Sequence, residues 1–593
     1  MDRKSILILV ACFALLMLWV PLVNVIYPPV PAPLQTNALG VAGSNLRQTN
    51  SHGLIAEHEA EISSAQPGPL TLHESAGPEQ IETLETPEAL YTFSSHGGGL
   101  KTIELKEYPE SVNCARRGSA PTNRLATLNL GAPAPALALL GGAPFATDSS
   151  FQLVRAGGGL RAEKQYSNGL YVVKEFIPGT NHVLSATIRI ENHSGKSLRL
   201  AEHELVVGTA TPINRHDLGQ FLAIGAYDGT RAVYQYQGWF ANRTLGCFPG
   251  TPRTQYVAES TNIVWTAACN QFFAMIGAPR DPAPEMIGRQ VDLPAPTDAD
   301  RAADPKAVLK PVGYQASLAY PAMVLTNGQS VTHVLDLFAG PKEYNTLAKL
   351  GKNQDLAMNF NTMFAWFAKA LLLGMNGLHS IGVAYGMAII CITVIIKLLF
   401  WPLTQASMRS MKRMQTLQPQ MKAIQEKYKD DPKKMNMKVM EFMKENKVNP
   451  MGGCLPIMLQ IPVFMGFYQM LQTAIELRGA HFLWACDLSQ PDTVYELLGF
   501  PINPLPLIMG ASQFWQARMT PPSPGVDPMQ QKIMQYMPLM LVFFFYNFSS
   551  GLALYWTVQN LLSIVQMKLT KAGTGPAGKP SGPHASLPPG RKR

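Results

Sequence analysis

Charge is scarce in this chain. Asp, Glu, Lys and Arg make up 15% of its 593 residues, below the roughly one quarter of ordinary soluble domains. That argues against a wholly soluble protein of this length. The seven cysteines show no CxxC and no Cys/His spacing of the kind that grips zinc, so neither a metal centre nor another cofactor is expected. No G-x-x-x-x-G-K-[ST] run occurs, which removes nucleotide hydrolysis by a P-loop. His182, His193, His203 and His216 stand at no recognisable catalytic spacing and read as surface or structural residues. An enzyme is therefore the weaker reading.

What is present is bunched apolar sequence. MDRKS precedes a mostly apolar run from Ile6 to Ile26, long enough to cross a bilayer. A cleaved signal peptide would have a shorter apolar core of about 7–15 residues, so 1–27 reads as an uncleaved N-terminal anchor. Residues 28–88, rich in Pro, Ala, Gly, Ser and Glu, read as a flexible periplasmic linker. Residues 89–340 have the pattern of a large antiparallel β-sandwich. Leu184, Ala186, Ile188 and Ile190 alternate with polar neighbours, and Pro178-Gly179-Thr180-Asn181 supplies a turn from the preceding strand, Leu170–Ile177. Residues 341–374 read as a helical, interfacial segment.

Five more apolar segments follow, near 376–400, 455–474, 497–516, 533–547 and 551–569. Six spans place both termini on one side. Residues 401–453 carry 11 Lys/Arg against 5 Asp/Glu, and the tail from Lys568 carries 6 basic residues and no acid. The positive-inside rule puts both in the cytoplasm, and the β domain and the 475–496 loop outside. The expected fold is an α-helical membrane bundle of six transmembrane helices plus the sandwich. Its segments are a second span at 375–401, a cytoplasmic helical hairpin at 402–453, spans three to six at 454–570 and a basic tail at 571–593. Cys114, Cys247, Cys269 and Cys486 then face an oxidising compartment, and a Cys247–Cys269 disulfide is left open.

Lys397 lies inside the run from Met387 to Trp401. A charge at the centre of a membrane helix costs about 2.5–3.5 kcal/mol, so it needs water, a partner or a way out. Snorkelling is the plain alternative, because only about 7.5 Å of helix separates Lys397 from Pro402. Thr393 shares its helix face at i, i+4. Trp556, Asn560 and Ser563 form a comparable stripe with Gln559 and Gln566 beside it, while Gln460, Gln469, Gln513 and Gln516 lie on two other spans. Polar groups on four spans are expected to converge, since facing lipid would be expensive; ordinary interhelical hydrogen bonding is the bland alternative. In the hairpin Pro402 is expected to open one helix and Asp430-Asp431-Pro432 to separate it from the next. Met408, Met411, Met414, Met440 and Met443, with Met421, form either its internal seam or a pliable surface for apolar partners.

Asn449-Pro450-Met451-Gly452-Gly453-Cys454-Leu455-Pro456, followed by Gln460-Ile461-Pro462, resembles the signature entering a core span of YidC-type membrane insertases, the Oxa/Alb superfamily. Asp527-Pro528-Met529-Gln530-Gln531-Lys532, Pro402-Leu403-Thr404 and Ser550-Gly551-Leu552 fit the same pattern, closely over 376–569. The anchor, linker and outer domain resemble the Gram-negative form, whose outer domain is similar to a sugar-mutarotase sandwich. The resemblance implies a five-helix core enclosing a polar groove open to cytoplasm and lipid and closed on the outer side, with Lys397 where the family usually has arginine. It implies insertion of nascent membrane proteins into the inner membrane, alone or with the Sec translocon. Substrate-groove residues would be Lys397, Thr393, Gln460, Trp556, Asn560 and Ser563, with the five methionines contacting substrate or partner in the cytoplasm. Lysine lacks guanidinium's planar fork, and Phe548-Ser549-Ser550-Gly551 lacks the family's proline, leaving the last outer turn open. Further partners are the lipid bilayer and the ribosome, through Arg591-Lys592-Arg593 and the cytoplasmic loops; no DNA partner is expected. A transporter or channel is the alternative, but it would predict internal repeats, and none is evident.

Overall fold

The computed structural model describes residues 72, 77–112, 124–142, 145, 148–214, 217, 219–242, 251–258, 260–298, 301, 308, 310–360, 363–446, 455–497, 500–519 and 540–572. The expected N-terminal anchor, most of the linker, His216, Cys247, the Asn449–Cys454 motif, the second cytoplasmic loop and the basic tail lie outside these residues. The chain divides into two compact units, one within residues 22–359 and one from Phe360 onward.

The first unit is antiparallel β. A nine-stranded sheet runs, edge to edge, Ala232–Tyr236, Ala223–Tyr227, Trp265–Cys269, Phe273–Pro279, Ser330–Pro341, Val183–Asn192, Leu170–Pro178, Gly159–Gln165 and Gln152–Ala156. A five-stranded sheet of Gln255–Val257, Glu285–Asp292, Val312–Tyr320, His203–Ala210 and Leu139–Gly141 lies against it. The sheets approach closely: a Cβ added to Gly288 would fall 1.9 Å from Ile224 Cδ1. Along Val183–Asn192 the alternation has its physical cause in burial, with Leu184, Ala186, Ile188 and Ile190 inside. Its hairpin with Leu170–Pro178 pairs Leu170 with Asn192. A third sheet begins at Ile81, so ordered strand starts inside the interval expected to be linker.

Central strands were less legible. His203–Ala210, Trp265–Cys269 and Phe273–Pro279 are buried at every position, so no polar face marks a period of two. Of the two roles expected for it, surface or structural, His203 takes the structural one and is buried. Its Nε2 meets His333 Nε2 of the other sheet at 3.2 Å, and its Nδ1 lies 3.2 Å from Ala201 O. Cys269 is buried with a free thiol, so it is not joined to Cys247.

The second unit is helical: α1 Ala365–Ser380, α2 Tyr385–Thr416, α3 Gln418–Lys427, α4 Pro432–Glu445, α5 Leu455–Thr473, α6 Pro504–Met519 and α7 Ser550–Ala572. Residues 540–545 are also helical. Helix α1 buries Ala368, Leu371, Leu372 and Met375, one face at i, i+3, i+4, i+7. That face packs on α5, where Gly466 admits the Phe367 ring; a Cβ there would lie 2.3 Å from it. The apolar stretch expected from 376 is broken at 381–384, where Gly382 takes φ +92°.

Helix α2 corrects one boundary. It runs through Pro402 to Thr416 instead of ending there. Proline removes the N–H that would reach Leu398 O, while Thr404 Oγ1, two residues on, donates to Phe400 O and Trp401 O at 3.0 Å each. Pro432 does open α4, and Asp431 caps it by accepting from Lys434 N at 3.0 Å. Among the described residues one helix segment, Tyr385–Ser410, is long and apolar enough to cross a membrane by length and composition. A short hairpin, Tyr495–Leu497 with Phe500–Ile502, occupies the start of the segment expected at 497–516, and helix begins only at Pro504. The turn before α7 closes at 546–549 without the proline, and α7 starts at Ser550.

Candidate functional site

Helix α7 organises the buried polar groups. Trp556, Asn560, Ser563 and Gln566 recur at steps of four, three and three, which places them on one face. The lower part of that stripe meets α2. Lys397 is 7% exposed, and its Nζ donates to Ser563 Oγ at 2.7 Å. Ser563 in turn donates to Gln559 O at 2.8 Å. Further along, Gln566 Nε2 donates to Thr404 Oγ1 at 2.6 Å and to Trp401 O at 3.3 Å.

The upper part meets α6. Trp556 Nε1 donates to Gln513 Oε1 at 2.5 Å. Asn560 Nδ2 donates to Ser512 Oγ at 3.0 Å and to Gln513 Oε1 at 3.3 Å. The Trp556 ring also packs on Phe464 of α5, centroids 4.8 Å apart, and on Phe545 at 5.1 Å.

The six expected residues are thus not one cluster. Lys397 and Ser563 touch, Trp556 and Asn560 share Gln513, and Thr393 spends its hydroxyl on Ile389 O of its own helix at 2.7 Å. Gln460 is half-buried on α5 and makes no hydrogen bond to the others among the described residues. Ser512 and Thr404 were missed as site residues. Serine and threonine commonly bond their own helix, so their spacing alone carries no signal.

The chemistry at Lys397 is that of an under-used cation. An ammonium has three donors, and among the described residues Lys397 makes one hydrogen bond and no ion pair. A buried positive group so placed attracts carboxylate or water. It is held at the α2–α7 contact by Ser563 instead of reaching along its own helix. Among the described residues no three His, Cys, Asp or Glu side chains gather as a metal site would require.

The methionines divide. Met414, Met421 and Met443 form the small core of the hairpin, with Leu417, Val439 and Phe442 packed against them. Met408 is half-buried, whereas Met440 is 63% exposed beside Met437. The Met411 side chain lies outside the description. Two of the five residues expected at a contact surface are therefore seam.

Residues 377–575 match the family model described as "60Kd inner membrane protein", and residues 82–373 match "YidC periplasmic domain". A membrane protein insertase YidC of Oleidesulfovibrio alaskensis is 33% identical over 563 residues, 91% of this chain and 93% of that protein. Its counterpart in Syntrophus aciditrophicus is 32% identical over 590 residues, covering 95% and 98%. A YidC insertase crystal structure aligns over 84% of this chain and 94% of its own at 17% identity, with a TM-score of 0.33. The sequence matches define an inner-membrane protein with a periplasmic β-sandwich domain. The chain belongs to the YidC family of membrane protein insertases.

Proposed function

We propose that the α7 stripe and Lys397 line a groove that lowers the barrier for the polar part of a nascent membrane protein. The supporting observation is Lys397 itself: buried, held by one neutral hydroxyl, and facing no carboxylate among the described residues. A polar segment must otherwise cross about 30 Å of hydrocarbon. A hydrated groove part-way through shortens the dry distance, and Lys397 draws acidic groups into it. The substrate's apolar helix leaves sideways into lipid, and burial of its apolar surface at about 25 cal/mol per Å2 supplies the driving force without nucleotide. Thr393, Gln460, Trp556, Asn560 and Ser563 complete the wall.

In this reading the chain has six spans with both termini in the cytoplasm. The segments are an anchor at 1–27, a linker ending near Ile81, the periplasmic sandwich and the five core spans. Cys486 is disulfide-bonded, which fits an oxidising compartment for the 475–496 loop. Substrates approach past the hairpin, where exposed Met440 offers an apolar contact and Met408 lies nearer the bilayer. The Sec translocon and the ribosome are partners, the latter through phosphate attraction to the basic tail.

The test is insertion of a reporter in cells carrying Lys397→Arg, Lys397→Ala or Lys397→Glu. Arg is expected to retain insertion, Ala to lose most of it and Glu to abolish it. Full activity in the Glu variant would remove the electrostatic step.

A further inference from the structure

The chain between α5 and α6 is tied to the first turns of α6 and α7 by side chains that the groove does not use. Asp492 is buried, and its Oδ2 accepts from Leu505 N at 2.7 Å and from Trp484 Nε1 at 2.9 Å. Leu505 is the second residue of α6, between Pro504 and Pro506. Prolines have no N–H, so Leu505 N is the one backbone donor in the first three positions of that helix. The carboxylate sits where the positive end of the helix favours an anion.

Two further ties hold the same segment. Asn503 Nδ2 donates to Tyr546 O at 2.8 Å and Asn503 Oδ1 accepts from Thr493 Oγ1 at 2.7 Å, while Tyr546 OH donates to Pro501 O at 2.6 Å. At the start of α7, Ser550 N and Gly551 N donate to Gln490 O at 2.8 Å and Leu488 O at 2.9 Å. Gly551 lets the two backbones approach: a Cβ would lie 3.0 Å from Leu488 O. Underneath, Trp484, Ala485, Leu505 and Ala553 make a small apolar cluster. Trp556 and Asn560 follow one and two turns further along α7.

A groove of this family is closed on its outer side; we propose that Asp492 is the positioning residue that latches this segment into that closure. The proposal rests on the groove reading above. A groove wet from the cytoplasm needs a closure that excludes ions beyond its last polar rung. Here the closure is an apolar cluster under backbone bonds, fastened to α6 through one carboxylate. Without that carboxylate the Leu505 N–H and the Trp484 N–H lose their acceptor together, and the segment lifts from α6 more often.

The experiment uses the purified full-length chain in liposomes with an internal pH dye, alongside amide exchange of residues 484–493. Asp492→Ala is expected to speed that exchange about tenfold, the size of one lost charge-assisted hydrogen bond, and to raise proton leak by a similar factor. Tyr546→Phe, which removes the bond to Pro501 O and the weaker one accepted from Asn503 N at 3.3 Å, should raise both by less; it carries the test should Asp492→Ala fail to fold. Faster exchange with no added leak overturns the sealing role. Unchanged exchange in both variants overturns the latch. Neither outcome touches the groove, which stands or falls on insertion by the Lys397 variants.

Discussion

Two buried lysines show how differently the two units treat charge. In the β unit Lys174 is fully buried, yet its ammonium donates to Gly97 O at 2.7 Å and Leu137 O at 2.8 Å and lies 4.6 Å from the centre of the Phe151 ring. Burial still pushes its pKa down to about 7. The same sheet system closes Glu204 on Arg289 through two hydrogen bonds. In the helical unit Lys397 has a single hydroxyl. Lys174 and the Glu204–Arg289 pair act as fastenings, although Arg289 Nε stays buried without a partner among the described residues; in the helical unit Lys397 is left with donors to spare. Burial alone therefore does not mark function.

The comparison breaks most readily at Arg289. Arg289→Met strands the buried Glu204 carboxylate, and the β unit should lose about 3–5 kcal/mol of stability, read by denaturant unfolding of the full chain with amide exchange of the strands. A loss below about 1 kcal/mol would mean that water reaches Glu204.

Acid should open the same unit next. Burial and His203 push His333 down to about 4, and burial pushes His203 down as well. Tyr320 and Phe145 are the rings packed on this pair. Both folded values lie below the unfolded value, so the unfolded chain binds more protons. The stabilisation is complete above about pH 6.5 and fades as pH falls toward 4, by roughly 3 kcal/mol for His333. Amide protection in His203–Ala210 and Ser330–Pro341 is expected to fall between pH 7 and pH 5, and His333→Gln should flatten that dependence. Protection unchanged across this range would show the pair already hydrated.

The hairpin gives a finer contrast. Met443→Ala should cost its small core about 2 kcal/mol, while Met440→Ala stays within about 0.5 kcal/mol and lowers insertion only modestly. Equal destabilisation of both by thermal melting would erase the distinction between seam and surface. Smallest in stability is Lys397→Met, expected to shift the helical unit by less than about 1 kcal/mol while insertion is lost. A strongly destabilised variant would make Lys397 a fastening like Lys174.

Where a residue's neighbours along the chain fix its environment, the sequence was enough. The Val183–Asn192 alternation, the Pro178–Asn181 turn, the Asp431-Pro432 helix start and the polar stripe on α7 were readable because period and turn chemistry are local. The family was readable from its motifs. Strands buried on both faces were not, and neither was the passage of α2 through Pro402. A Met run likewise could not say which side chains turn inward.

Composition and order along the chain settled that apolar segments carry a rare internal charge and follow a large β domain in sequence. Only packing decided that Lys397 meets Ser563, 166 positions away, that Gln513 joins Trp556 to Asn560, and that Asp492 reaches the start of α6. The reason is geometric: hydrogen-bond partners are chosen by distances of about 3 Å across helices, and nothing in linear spacing encodes which faces of two distant helices will meet.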